Sequence, residues 1–87
     1  MWTIKRYSFS ISEPVMRMHK GAKILKVGRK KTSAVLWVYV NTESPLVGRL
    51  IRIYKSGDEM PEEPGMYLNT IDHLGYEWHL YDGGETK

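Results

Sequence analysis

The chain has 87 residues, with 13 basic and 10 acidic side chains, no cysteine and one phenylalanine. That length fits one domain and leaves no room for a separate cofactor domain, and the missing thiols exclude disulfides, thiol catalysis and thiolate zinc sites. An apolar content of 41% is enough for a small core, so a folded chain is expected rather than a disordered one.

Met1 to Ile11 alternates polar and apolar residues and lacks the continuous run of about 7 to 15 apolar residues that a signal peptide needs. The longest apolar run, Ala34 to Val40, has seven residues, where a membrane-spanning helix needs about 20. The expectation is a protein of the cytoplasm with no membrane partner. Residues 1–55 hold twelve basic and two acidic side chains, giving +10, whereas residues 56–87 hold one basic and eight acidic, giving −7. The total of +3 is a near-cancellation, and such asymmetry points toward an anionic partner, pairing between the two halves, or head-to-tail association.

Period-2 alternation dominates and predicts strands. The first covers Trp2 to Ile11, with Tyr7, Phe9 and Ile11 on one face. Trp2 and Ile4 fall on the opposite parity, and a bulge near Lys5 and Arg6 would reconcile them. Ser12-Glu13-Pro14 with Gly21 suits a two-turn helix. The stretch Val15 to Val27 also reads as a hairpin about Lys20-Gly21, with Met18 opposite Lys23 and Met16 opposite Leu25. Met16, Met18, Leu25 and Val27 then share the buried face, and this coherence favours the hairpin. A basic loop, Arg29 to Ser33, leads into Ala34 to Val40, whose unbroken apolar, β-branched character predicts a central strand buried on both faces. Asn41 to Pro45 is a turn and Val47 to Tyr54 a strand. Lys55 to Gly65, rich in Pro, Gly and acids, is a loop. Tyr67 to His73 and Tyr76 to Asp82 form a last hairpin about Leu74-Gly75. The domain spans residues 1–82, and Gly83 to Lys87 reads as a flexible tail. The fold class is all-β: six or seven mostly antiparallel strands in a small sandwich or partly open barrel.

Two groups of residues are candidates for function. The last hairpin carries Asp72, His73, Glu77, Trp78 and His79. A two-residue turn places Asp72, Glu77, His79 and Thr70 on one face, whereas a three-residue turn would set His73 beside Glu77. Two His and two carboxylates could bind zinc or manganese, or a His and a Glu could exchange a proton. The spacing matches no ligand signature, however, and cross-strand polar pairing is the favoured reading. Arg17, Lys20, Lys23, Lys26, Arg29, Lys30 and Lys31 form the second candidate, a basic surface that attracts phosphates in a salt-dependent way. Ten aromatic residues offer stacking surfaces, although a core with one Phe needs most of them. The glycines form neither a dinucleotide fingerprint nor a P-loop, and no serine sits in a nucleophile elbow. The expectation is therefore no enzyme and no cofactor.

The segment Ile53-Tyr54-Lys55-Ser56-Gly57, then Pro61-Glu62-Glu63-Pro64-Gly65 and Tyr67-Leu68-Asn69-Thr70, resembles a family of small uncharacterised proteins encoded by bacteriophages and prophages. Lys20-Gly21-Ala22-Lys23-Ile24-Leu25, Leu36-Trp37 and Trp78-His79-Leu80-Tyr81 extend the resemblance over most of the chain. It departs at His73-Leu74-Gly75, where the family's turn is one residue longer, and at Lys55 and Asn69, where the family tends to have Gly. The resemblance transfers no activity. It implies an accessory factor in the bacterial host cytoplasm, and the expectation is that it binds and inhibits or sequesters a host component, protein or small anionic nucleotide, in anti-defence. A nucleic-acid-binding module using the Arg17 to Lys31 surface is the alternative, and uncovered strand edges suggest a homodimer.

Overall fold

The computed structural model describes residues 1–9, 15–30 and 33–86. Seven strands form two antiparallel sheets: β1 (Trp2–Phe9), β2 (Val15–His19), β3 (Lys23–Lys30), β4 (Ser33–Asn41), β5 (Leu46–Lys55), β6 (Met66–His73) and β7 (Tyr76–Glu85). The three-stranded sheet has the order β1-β4-β3 and the four-stranded sheet β2-β5-β7-β6. The two face each other as a sandwich with open sheets. Among the described residues there is no helix, and so none long and apolar enough to cross a membrane.

The inner faces follow from alternation. Leu36, Val38 and Val40 of β4 meet Met18, Ile51 and Leu80 of the other sheet, all of them fully buried in one core cluster. Phe9 and Tyr7 of β1, Val27 and Ile24 of β3, and Ile71 and Trp78 of the last hairpin complete it. Burying a side chain of this size contributes about 1.5–3 kcal/mol, so this cluster supplies most of the driving force that an 87-residue chain has available.

Polar links join the layers where apolar contact ends. Arg49 of β5 holds Asp82 of β7 and also donates to the carbonyl oxygen of Ala22 at 2.8 Å, just before β3. Asn69 of β6 donates to the carbonyl oxygen of Val27 at 2.8 Å. His19, 9% exposed, lies 2.7 Å from the carbonyl oxygen of Ser44 through Nδ1. A carbonyl only accepts, so Nδ1 carries the proton and Nε2 is the acceptor that faces Lys5 Nζ at 3.4 Å.

Several expectations need correction. Val15 to Val27 is not a hairpin: β2 pairs with β5 and β3 with β4. Lys20 and Gly21 instead carry the chain from one sheet to the other. Gly21 has φ +79°, and the Lys20 amide donates to the Pro45 carbonyl at 2.8 Å, so the crossover is held to the β4–β5 turn. The face assignment survives for Met16, Met18 and Val27. It fails for Leu25, which is 55% exposed, because the β3–β4 register shifts between Ile24 and Lys26. An extra residue there turns Leu25 out and brings Ile24 to the core.

No bulge interrupts β1, whose register with β4 is continuous from Trp2 to Phe9. Trp2 and Ile4, 49% and 57% exposed, simply stand on the outer face. Strand β4 is central but not covered on both faces, since Tyr39 is 37% exposed. Finally, Gly83 to Glu85 belong to β7 rather than to a tail. A bulge opposite Leu50 and Ile51 lets the ladder continue to Arg49 and Glu85, and Gly84 takes φ +90° there. Glu85 then accepts the Gly21 amide at 2.7 Å, and Lys87 lies outside the described residues.

Candidate functional site: an aromatic and cationic sheet face

The charge asymmetry of the sequence becomes an asymmetry between sheets. Strands β1, β3 and β4 contain six basic residues (Lys5, Arg6, Lys23, Lys26, Arg29, Lys30) and no acidic one. The four-stranded sheet has four of each: Arg17, Arg49, Arg52 and Lys55 against Asp72, Glu77, Asp82 and Glu85.

The outer face of the three-stranded sheet is built in rows across the strands. Trp37 of β4 has Arg6 of β1 on one side and Lys26 of β3 on the other, so one ring stands between two cations. Lys26 Nζ lies 5.5 Å from the centroid of the Trp37 ring, within range of a cation–π attraction. The next row sets Tyr39 between Ile4 and Lys23. Trp2 stacks on Tyr39 with centroids 4.9 Å apart and planes 23° apart. Gly28 makes room for the indole: a Cβ there would lie 2.9 Å from Cζ3 of Trp37. The nearest carboxylate in the following turn, Glu43, is 3.3 Å from the amino group of Met1. The face thus combines two exposed rings, Trp2 and Tyr39, and the half-buried Trp37 with cations that are not neutralised within their own sheet, an arrangement that attracts anions and offers them stacking surface.

Of the basic residues singled out in the sequence, Lys23 and Lys26 lie on this face. Arg17 lies on the edge strand β2 of the other sheet and points to the Leu46 carbonyl at 3.4 Å. Lys20 sits in the crossover. Arg29 donates to the carbonyl oxygen of Asp72, tying β3 to β6. Lys30 ends β3, and Lys31 lies outside the described residues. Sequence reasoning missed Arg6, Trp2, Trp37 and Tyr39 as partners of Lys23 and Lys26. The signal available was the absence of acids from Trp2 to Ile11, Lys23 to Val27 and Ala34 to Val40, which Val15 to His19 and Val47 to Tyr54 share.

The last hairpin has the two-residue turn. Asp72 pairs with Glu77, Thr70 with His79 and His73 with Tyr76; Leu74 and Gly75 have φ +53° and +80°, as a type I′ turn requires. His73 is thereby separated from Glu77, and its carbonyl accepts the Trp78 indole N–H at 2.9 Å. On the outer face of the four-stranded sheet, His79 lies between two hydroxyls: Ser56 Oγ at 2.7 Å from Nε2 and Thr70 Oγ1 at 2.8 Å from Nδ1. Ser56 Oγ is also 3.2 Å from Glu77 Oε1, and Tyr67 Oη 2.5 Å from Thr70 Oγ1.

A serine beside an imidazole is the first link of an activated nucleophile. Here the Glu77 carboxylate can only accept, so the Ser56 hydroxyl donates its hydrogen bond to Glu77 and accepts one from His79 Nε2–H. Nδ1 then accepts from Thr70, which accepts from Tyr67. The imidazole donates to the serine, the reverse of what nucleophile activation needs. Among the described residues no group of three or more His, Asp or Glu is placed to hold a metal ion.

The sequence carries one further assignment over its whole length. The chain belongs to the DUF7352 family, a domain of unknown function. The match covers residues 1–87. No curated protein and no solved structure matches this DUF7352 chain.

Proposed function

We propose that this DUF7352 domain is a non-enzymatic binding module that engages an anionic partner through the outer face of its three-stranded sheet. The row Arg6–Trp37–Lys26, one ring between two cations on a sheet without acids, carries the reading. Cations speed encounter with an anionic surface and select against cationic competitors, while Trp, Tyr and Arg are the residues on which binding energy concentrates. The resemblance to phage-encoded proteins supplies the biological setting: an accessory factor in a bacterial cytoplasm that sequesters or inhibits a host component, in anti-defence.

Affinity capture from bacterial lysate tests it, with proteins and nucleic acids or nucleotides both identified. The wild-type chain should retain a partner that the charge-reversed Lys23→Glu/Lys26→Glu variant releases. A partner retained equally by both, or none retained by either, contradicts the reading.

A further inference from the structure

The geometry points to single-stranded nucleic acid as the ligand of this face, an inference that rests on the anion-binding reading above. Three observations select it. First, Trp37 and Tyr39 are two residues apart on one strand, hence about 6.6 Å along it at the usual rise. That spacing suits bases drawn apart and stacked singly on rings, whereas the bases within one strand of a duplex are already stacked at about 3.4 Å and closed to side chains.

Second, the cations flank the rings in register. Lys26 lies beside Trp37 and Lys23 beside Tyr39, so a backbone following β3 keeps its phosphates by a cation at each step while its bases reach the rings of β4, and Arg6 adds a cation on the β1 side of Trp37. Trp2, stacked on Tyr39 at 4.9 Å, extends the platform at the end. Third, the face is the broad side of a sheet, and among the described residues there is no helix to enter a duplex groove. A second copy of the chain fits less well, because face-to-face pairing would set two cationic faces against each other.

Fluorescence anisotropy with a labelled 12-nucleotide oligothymidylate, a duplex of equal length and polyglutamate tests the assignment between 50 and 200 mM salt. Oligothymidylate should bind, with affinity falling about 20-fold over that range if three phosphates are neutralised at about 0.7 counterions each. Trp37→Ala should weaken binding by about 5- to 100-fold, the usual effect of removing one stacking ring. Should that variant unfold by circular dichroism, Arg6→Gln/Lys26→Gln, which changes only exposed cations, should lower the salt slope by about 1.4. Duplex or polyglutamate binding as tightly as oligothymidylate, or a Trp37→Ala variant that folds and binds like wild type, overturns the single-strand assignment and leaves the anion-binding face standing. Failure of all three probes together with empty lysate capture removes both.

Discussion

Arg49 grips Asp82 through two parallel hydrogen bonds, Nε to Oδ1 at 2.9 Å and a terminal nitrogen to Oδ2 at 2.5 Å, with side chains only 12% and 13% exposed. The third guanidinium nitrogen reaches the Ala22 carbonyl, so one side chain joins both sheets at the crossover. The hydrogen bond from Arg49 holds the Asp82 carboxyl below its ordinary range; burial opposes this, and the Gly84 amide at 2.9 Å assists. Removing either partner leaves a poorly solvated charge. Asp82→Asn should therefore cost about 2–4 kcal/mol in urea unfolding at pH 7, below the cost of breaking a fully buried pair because some solvent remains.

The same pair predicts a pH dependence. Since the folded carboxyl has the lower pKa, the unfolded chain binds more protons in acid, and the pair's contribution is complete above about pH 4, the ordinary Asp range. It is lost as pH falls through the depressed folded value. Stability measured from pH 5 downward should fall more steeply for the wild type than for Asp82→Asn. Parallel curves would contradict the assignment.

Leu74 occupies the left-handed region, φ +53°, in a two-residue turn and is 79% exposed. It contributes no burial there and carries a steric penalty that Asn or Gly avoids. Leu74→Asn should raise stability by about 0.5–1 kcal/mol, read as a higher urea midpoint with an unchanged slope.

Trp37 lies across Gly28, and a methyl group at position 28 would meet the far end of the indole. The ring can turn away at small cost. Gly28→Ala should shift stability by less than about 1 kcal/mol while altering the near-ultraviolet circular dichroism of Trp37 and weakening partner binding several-fold. Unchanged binding would place the working surface elsewhere.

The opposite face supplies the control. Ser56→Ala removes the acceptor of the His79 Nε2 proton, but the network is largely exposed, so its loss should cost under about 1 kcal/mol. Binding at the three-stranded sheet should not change. A loss of binding comparable to that of Lys23→Glu/Lys26→Glu would move the site to the Tyr67–Thr70–His79–Ser56 chain.

These elements show what could be read in advance. The last hairpin was legible because Leu74-Gly75 is a local turn that sets the whole register from Asp72–Glu77 to Thr70–His79. Met16, Met18 and Val27 were legible as core because alternation assigns faces without knowing partners. Pairing itself is non-local: the alternation of Val15 to His19 suits β3 as well as β5, and the crossover at Lys20-Gly21 looks like any tight turn. Bulges defeat parity, as at Leu25, and leave no mark in composition. The Arg6–Trp37–Lys26 row needs three strands in register and so exists only in the folded sheet.

The three tryptophans allow a direct test of the central claim. Trp2 and Trp37 stand on the proposed face, while the indole N–H of Trp78 is tied to the His73 carbonyl on the last hairpin. In nitrogen-15 spectra titrated with the partner recovered by lysate capture, the indole signals of Trp2 and Trp37 should shift or broaden and that of Trp78 should stay in place. A shift of Trp78 with Trp2 and Trp37 unmoved would contradict the account.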